Sequence, residues 1–149
     1  MKTPITRATS DDADAIAPLF DLYRRFYGQP ADLARARAFI GERLARGESV
    51  ILVARHDGEL AGFTQLFPSF SSVSAGRTWV LNDLFVHPHA RRHGLARALL
   101  AAAAEFARTD GALRLELETD HNNHGAQVLY RDMGWTLYDG TLRYRLPLR

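Results

Sequence analysis

The sequence predicts a mixed sheet flanked by helices, an α/β or α+β layer architecture, in one domain spanning residues 1–149. Three observations lead there. Apolar runs of strand length stand in the middle of the chain around a turn dipeptide, stretches with helical apolar spacing lie on either side, and no repeat, low-complexity tract or long linker divides the chain.

The elements follow in order. Ile5 to Arg7 reads as a short first strand. Thr9 and Ser10 are cap candidates before a helix that carries Ile16, Leu19, Phe20, Tyr23, Phe26 and Tyr27 on one face and ends at Gly28-Gln29-Pro30. That stripe is core, with Tyr27 at its end the candidate to line a substrate pocket. A second helix has Leu33, Ala36, Ile40 and Leu44 at helical spacing. Val50 to Ala54 and Leu60 to Phe67 are strands joined through Asp57-Gly58, a strong hairpin signal. The serine-rich stretch Pro68 to Gly76 reads as a loop, and Thr78 to Val86 as a third long strand. Leu95 to Ala107 is an alanine-rich helix, Leu113 to Thr119 alternates as a strand, and Gly125 to Asp132 is a short helix. Trp135 to Leu148 is expected to close the fold with two strands, giving the order β-α-α-β-β-β-α-β-α-β-β.

Composition narrows the function. There is no cysteine, which removes disulfides, zinc–thiolate sites and thiol nucleophiles together. No apolar run approaches the ~18 residues that span a membrane, and the N-terminus lacks an apolar signal-peptide core, so a cytoplasmic protein without a membrane partner is expected. Lys2 is the only lysine, and the other basic side chains are arginines, which favour bidentate phosphate contacts. They are scattered among acids except at Arg91, Arg92, His93 and Arg97, a cluster too short for a nucleic-acid track. His87, His89, His93, His121 and His124 make an inventory of metal ligands, but without cysteine or a helical pair of histidines no metal site is expected.

The segment Val86-His87-Pro88-His89-Ala90-Arg91-Arg92-His93-Gly94-Leu95-Ala96-Arg97 leads from strand to helix through that basic cluster. Arginines at a helix start oppose the macrodipole unless an anion sits there, in which case unpaired N–H groups and guanidinium forks converge on it. A solvated basic turn is the plainer alternative. The turn is not a Walker motif, which needs a lysine, nor a dinucleotide fingerprint, which needs three glycines.

Two motifs in sequence now carry a resemblance. Leu81-Asn82-Asp83-Leu84-Phe85-Val86 followed by Arg91-Arg92-His93-Gly94-Leu95-Ala96 is similar to the central motif of the GNAT superfamily of acyl-CoA N-acyltransferases, with its Arg/Gln-x-x-Gly-x-Gly/Ala loop. Thr119, then Asn123-x-x-Ala126-x-x-Leu129-Tyr130, then Gly134-Trp135 resembles the family's next motif. The resemblance implies a mostly antiparallel mixed sheet with two splayed parallel central strands, Thr78 to Val86 and Leu113 to Thr119. It also implies acetyl-CoA as co-substrate, bound without a metal. Leu84, Phe85 and Val86 would line the pantetheine arm, with Leu84 and Val86 offering backbone groups; Arg91, Arg92, His93, Gly94, Leu95, Ala96 and Arg97 would hold the pyrophosphate. Asn123 would hydrogen-bond the pantetheine, and Tyr130 would be the general acid toward the departing sulfur, a role suited to a phenol of reference pKa ~10. The spacing of Tyr130 from Ala126 suits core packing equally.

The acceptor would be a primary amine that attacks the thioester directly, on a small molecule in the first place. A protein lysine or N-terminus is the alternative within the enzymes, and an inactive Arg-rich nucleic-acid or protein-binding module the alternative outside them. Homodimerisation is a further expectation. Polyamine acetyltransferases of the family carry glutamate where this chain has Asn82, which cannot act as a base and is left as a substrate contact. Asp83 is the nearest carboxylate and a candidate catalytic group, but strand alternation turns it away from the side that Asn82 shares with Leu84 and Val86, toward a structural role. The Pro68 to Gly76 loop and the two N-terminal helices are expected to build the acceptor pocket.

Overall fold

The structure, a computed structural model, describes residues 4–149. They form two compact units, one ending at Glu118 and one covering Thr119–Arg149.

The first unit holds the sheet. Strands β1 (Ile5–Arg7), β2 (Val50–His56), β3 (Glu59–Ser71), β4 (Gly76–Val86) and β5 (Leu115–Leu117) lie in sequence order, with helices α1 (Ala13–Phe26), α2 (Leu33–Ala45) and α3 (Leu95–Thr109) between them. All neighbours are antiparallel except β4 and β5, which run parallel through Trp79↔Leu115, Val80↔Glu116 and Leu81↔Leu117. Their ladder stops there while β4 continues to Val86, as expected of two strands that part.

Local chemistry explains the boundaries. The Thr9 N–H donates to Asp12 Oδ2 at 2.7 Å, closing a capping box ahead of α1. Asp32 caps α2 by accepting the Arg35 N–H at 3.1 Å, and its own N–H donates to the buried Asp21 carboxylate at 2.9 Å. Asp57 and Gly58 both take positive φ, 54° and 82°, as a two-residue hairpin turn with right-handed strand twist requires.

The sheet is covered on both faces. Phe63, Ile51 and Val53 pack with Ile16, Leu19 and Phe20 of α1 and Ala36 and Ile40 of α2. A Cβ on the neighbouring Gly62 would point the other way, 3.2 Å from Leu99 of α3. Trp79 also faces α3, its ring 5.1 Å from Phe106 and its indole N–H donating to Asp110 at 2.8 Å. Burial on both faces makes β2 a continuous apolar run rather than an alternating one.

Two expectations fail. The Pro68 to Gly76 loop is largely hairpin: β3 extends to Ser71 and β4 starts at Gly76, with Pro68↔Trp79, Ser69↔Thr78 and Phe70↔Arg77 in register. Cross-strand side-chain packing outweighs the turn-like composition there, since the Arg77 guanidinium lies 4.6 Å above the Phe70 ring directly opposite. This stretch is therefore an arm of the sheet rather than a loop. Second, the chain forms no strand after α4 (His124–Asp132), so the two closing strands predicted over Trp135 to Leu148 are not formed. Alternation supplies strand propensity only, and a strand exists through the ladder it joins.

Leu99, wholly buried between α3 and the sheet, reports on this packing. Leu99→Ala is expected to lower the free energy of unfolding by about 2–5 kcal/mol, measured by denaturant titration.

Candidate active site

The site begins with an irregularity in β4. Gln65 stands opposite Asp83 but Leu66 stands opposite Leu81, so Asn82 is an extra residue without a partner across the ladder, a β-bulge. The bulge reverses the faces of the strand. Trp79 faces α3, whereas Phe85, an even number of residues later, packs into the α1–α2 core beside Phe63 and Tyr23. Asp83 goes with Phe85. Alternation had turned Asp83 away from Asn82, yet the Asn82 amide donates to Asp83 Oδ1 at 2.7 Å, a contact between consecutive side chains that a regular pleat forbids. Asp83 remains on the opposite side from Val86, as alternation requires, but it is not turned away from Asn82, and it faces the side built by the two N-terminal helices.

Asp83 is 2% exposed. Its second oxygen accepts from Gln65 Nε2 at 2.8 Å, and the Gln65 carbonyl in turn accepts from Ser49 Oγ at 2.8 Å. Thr64 Oγ1 donates to the Asp83 backbone carbonyl at 2.7 Å, fixing the strand beneath. The Tyr23 hydroxyl of α1 also bonds to the carboxylate and lies 3.3 Å from the Asn82 carbonyl oxygen. Burial pushes the carboxyl up from the ordinary 3.8 to about 6, with the hydrogen bonds from Asn82, Gln65 and Tyr23 pulling in the opposite direction.

Around it the α1 stripe continues as stacked and edge-on rings. Tyr23 meets Tyr27 at 5.1 Å and Phe63 at 5.7 Å, and Tyr27 meets Phe26 at 5.1 Å, with Tyr27 and Phe26 more than half exposed. Tyr27 lies exposed at the end of that stripe, and Asn82 is exposed beside the buried carboxylate.

The turn from β4 to α3 gathers the predicted anion-binding residues in one place. Pro88–Ala90 forms a short 3-10 turn in which His87 Nδ1 accepts the His89 N–H at 3.1 Å. Arg91 Nε donates to the Val86 carbonyl at 3.1 Å, and its guanidinium lies 5.7 Å from the Phe85 ring. Arg92 takes a left-handed backbone, φ 68°, and Gly94 is the N-cap of α3 at φ 76°. Gly94 is thus required by its backbone angle, since a Cβ there would meet only open space. With no side chain at the cap and no acid in the first turn, α3 presents bare N–H groups beside arginines.

Several of these side chains also make contacts within the protein. His93 stacks on His56, ring centroids 4.4 Å apart, so it braces the turn rather than projecting alone. Phe85 and Leu95 are buried, leaving only their backbones to meet a ligand, whereas Leu84, Val86 and Ala96 are half-buried and Arg97 exposed. In the second unit, Asn123 Oδ1 accepts the Ala126 N–H at 3.2 Å and so caps α4. Tyr130, half-buried on α4, has its ring 6.0 Å from Trp135, and its carbonyl accepts the Trp135 N–H at 2.9 Å.

Ser49 and Gln65 carry no functional expectation in the sequence, where Tyr23 reads as core. Gln65 did carry a signal, as a long polar side chain inside the apolar run Leu60 to Phe67. A polar group in a doubly covered strand must be hydrogen-bonded, and a carboxylate opposite is a natural partner.

Relatives place this geometry in a family. The model of the Acetyltransferase (GNAT) family matches residues 16–135. An uncharacterized N-acetyltransferase of Bacillus subtilis is 51% identical over 142 residues, 95% of this chain and 95% of that one. A probable acetyltransferase of Haemophilus influenzae is 34% identical over 119 residues, covering 79% of this chain and 82% of its own. A crystal structure of a probable acetyltransferase superposes with a TM-score of 0.92 at 41% identity, over 98% of each chain. The parallel β4–β5 pair, the uncapped basic start of α3 and these matches agree, and the chain belongs to the GNAT family of acetyltransferases.

Proposed function

We propose that this enzyme moves an acetyl group from acetyl-CoA to the primary amine of a small molecule by direct attack. The observation that carries the reading is the start of α3, where a glycine cap, a first turn without acids and Arg91, Arg92 and Arg97 offer a donor set suited to a pyrophosphate. Acetyl-CoA supplies the activated thioester. The turn from Arg91 to Arg97 would hold its phosphates, Leu84 and Val86 its arm through backbone groups, and the Asn123 amide a further polar group of the arm.

Tyr130 would donate a proton to the departing sulfur. Asp83 would take the proton of the acceptor ammonium: raised to about 6, it is mostly ionised at neutral pH yet more basic than an ordinary carboxylate. Asn82 orients it, and the aromatic faces of Tyr27 and Phe26 suit a cationic or aromatic acceptor. A thiol-release assay with acetyl-CoA against polyamines, amino acids, aminoglycosides and peptides tests the reading. Release with small amines supports it, release with peptides alone moves the acceptor to protein, and binding of duplex DNA without acetyl-CoA binding sinks it.

Acetyl-CoA is expected to raise the melting temperature by mass action. Arg92→Glu, at an exposed position, is expected to abolish that shift without lowering the melting temperature of the ligand-free protein.

Tyr130→Phe is expected to keep the acetyl-CoA shift but slow turnover about 10²- to 10⁴-fold, measured where chemistry limits the rate.

Asp83 predicts a pH dependence of stability. Its carboxyl binds a proton more tightly folded than unfolded, so the unfolded state loses its proton first as pH rises. Stability from this group is therefore present below the ordinary 3.8 and is lost as pH rises to about 6, by about 3 kcal/mol at most. Urea titrations across that window are expected to show the decline in the wild type and its absence in Asp83→Asn.

A further inference from the structure

A buried base creates a problem of access. Asp83 is 2% exposed, so an ammonium in solvent cannot touch its oxygens. One oxygen is held by Asn82, the other by Gln65, and the Gln65 bond is buried, with Ser49 behind it. Neither amide can carry a proton onward as a hydroxyl does, because an amide nitrogen that donates has no basic lone pair to receive one. The group on Asp83 that can both donate and accept is the Tyr23 hydroxyl. It is bonded to the carboxylate, it lies 3.3 Å from the Asn82 carbonyl oxygen, and that second contact is exposed. Its single proton therefore has two acceptors, one buried and one at the surface, and its ring is edge-on to the exposed Tyr27 ring.

We propose that the Tyr23 hydroxyl relays the proton of the acceptor ammonium to the Asp83 carboxylate. The inference rests on the acetyl-transfer reading above. The ammonium gives a proton to the phenolic oxygen as that oxygen passes its own proton to Asp83, so the tyrosine ends neutral, Asp83 protonated and the amine free. The amine nitrogen then forms its bond to the acetyl carbon, the carbon–sulfur bond breaks, and the thiolate takes up a proton. The nitrogen sheds its remaining extra proton, and Asp83 returns its own to solvent by the reverse path after the product leaves. The groups bonded to Asp83 are Gln65 from β3, Asn82 from β4 and Tyr23 from α1, of which only Tyr23 titrates; Asp21, the buried carboxylate of α1, holds the Asp32 N–H instead.

Tyr23→Phe separates the hydroxyl from the ring, whose packing against Phe20, Phe63, Phe85 and Tyr27 survives. Two readouts are taken on the full chain: the titration of the Asp83 carboxyl by carbon-13 NMR without ligand, and pH–rate profiles with acetyl-CoA and the best amine of the panel. Because the Tyr23 hydrogen bond favours the ionised carboxylate, its loss is expected to raise the Asp83 titration point above about 6. The rate constant kcat/KM for the amine is expected to fall about 10²-fold at neutral pH and to recover toward the amine's own pKa, where the nucleophile is already free. The double variant with Asp83→Asn is expected to be no slower than Asp83→Asn alone, since both residues serve one path. A working wild type with an unchanged Tyr23→Phe profile, or an unchanged Asp83 titration, overturns the relay alone. Absence of thiol release by the wild type with every amine overturns the transferase reading and the relay with it.

Discussion

One extra residue in β4 governs the arrangement of the site. Without the bulge at Asn82, Asp83 would lie on the face of Trp79 and Leu81, against α3. With it, the strand keeps Trp79 and Leu81 on that face and presents Asp83 and Phe85 to α1 and α2. The bulge leaves a ladder position unpaired, and the local hydrogen bonds offset that loss. Thr64 Oγ1 takes up the Asp83 carbonyl, the Tyr23 hydroxyl reaches the Asn82 carbonyl, and the Asn82 side chain turns back onto Asp83. A defect in the sheet thus becomes the most densely hydrogen-bonded point of the site.

The second constraint is electrostatic and sits at the far end of the same strand. A left-handed Arg92 and a left-handed Gly94 fold the chain sharply from β4 into α3, and the helix opens with arginines where its dipole favours acids. Arg92 in a backbone region that L-residues avoid costs free energy of order 1–3 kcal/mol, and such strain concentrates at ligand-binding turns. His93 stacked on His56 and Arg91 bonded to the Val86 carbonyl hold the turn from both sides. The same strand therefore leads into a basic, uncapped helix start at its C-terminal end and holds a buried acid in its middle.

Much of this was legible in residue order. The Asp57-Gly58 hairpin, the α1 and α2 stripes and the basic start of α3 each depend on local chemistry, which the sequence states directly. Asp83 was visible as a carboxylate, but its direction was not, because alternation assumes a regular pleat and nothing in Leu81-Asn82-Asp83 announces an extra residue. The Ser49–Gln65–Asp83 chain joins residues from three strands or their ends and became visible only with their register. The serine-rich stretch after Phe67 misled for the opposite reason: turn-like composition was overruled by Arg77 lying across Phe70.

The chain after α4 carries its own consequence. Leu142, Tyr144, Leu146 and Leu148 are each more than four-fifths exposed, and they alternate with Arg143, Arg145, Pro147 and Arg149. Such a pattern is the raw material of edge-to-edge aggregation, because an extended chain would line its apolar side chains along one side. The interleaved arginines and the proline act as gatekeepers: like charges repel a stacked copy, and the proline lacks the N–H that an incoming strand would need. Salt would screen that repulsion while leaving the apolar side chains as they are.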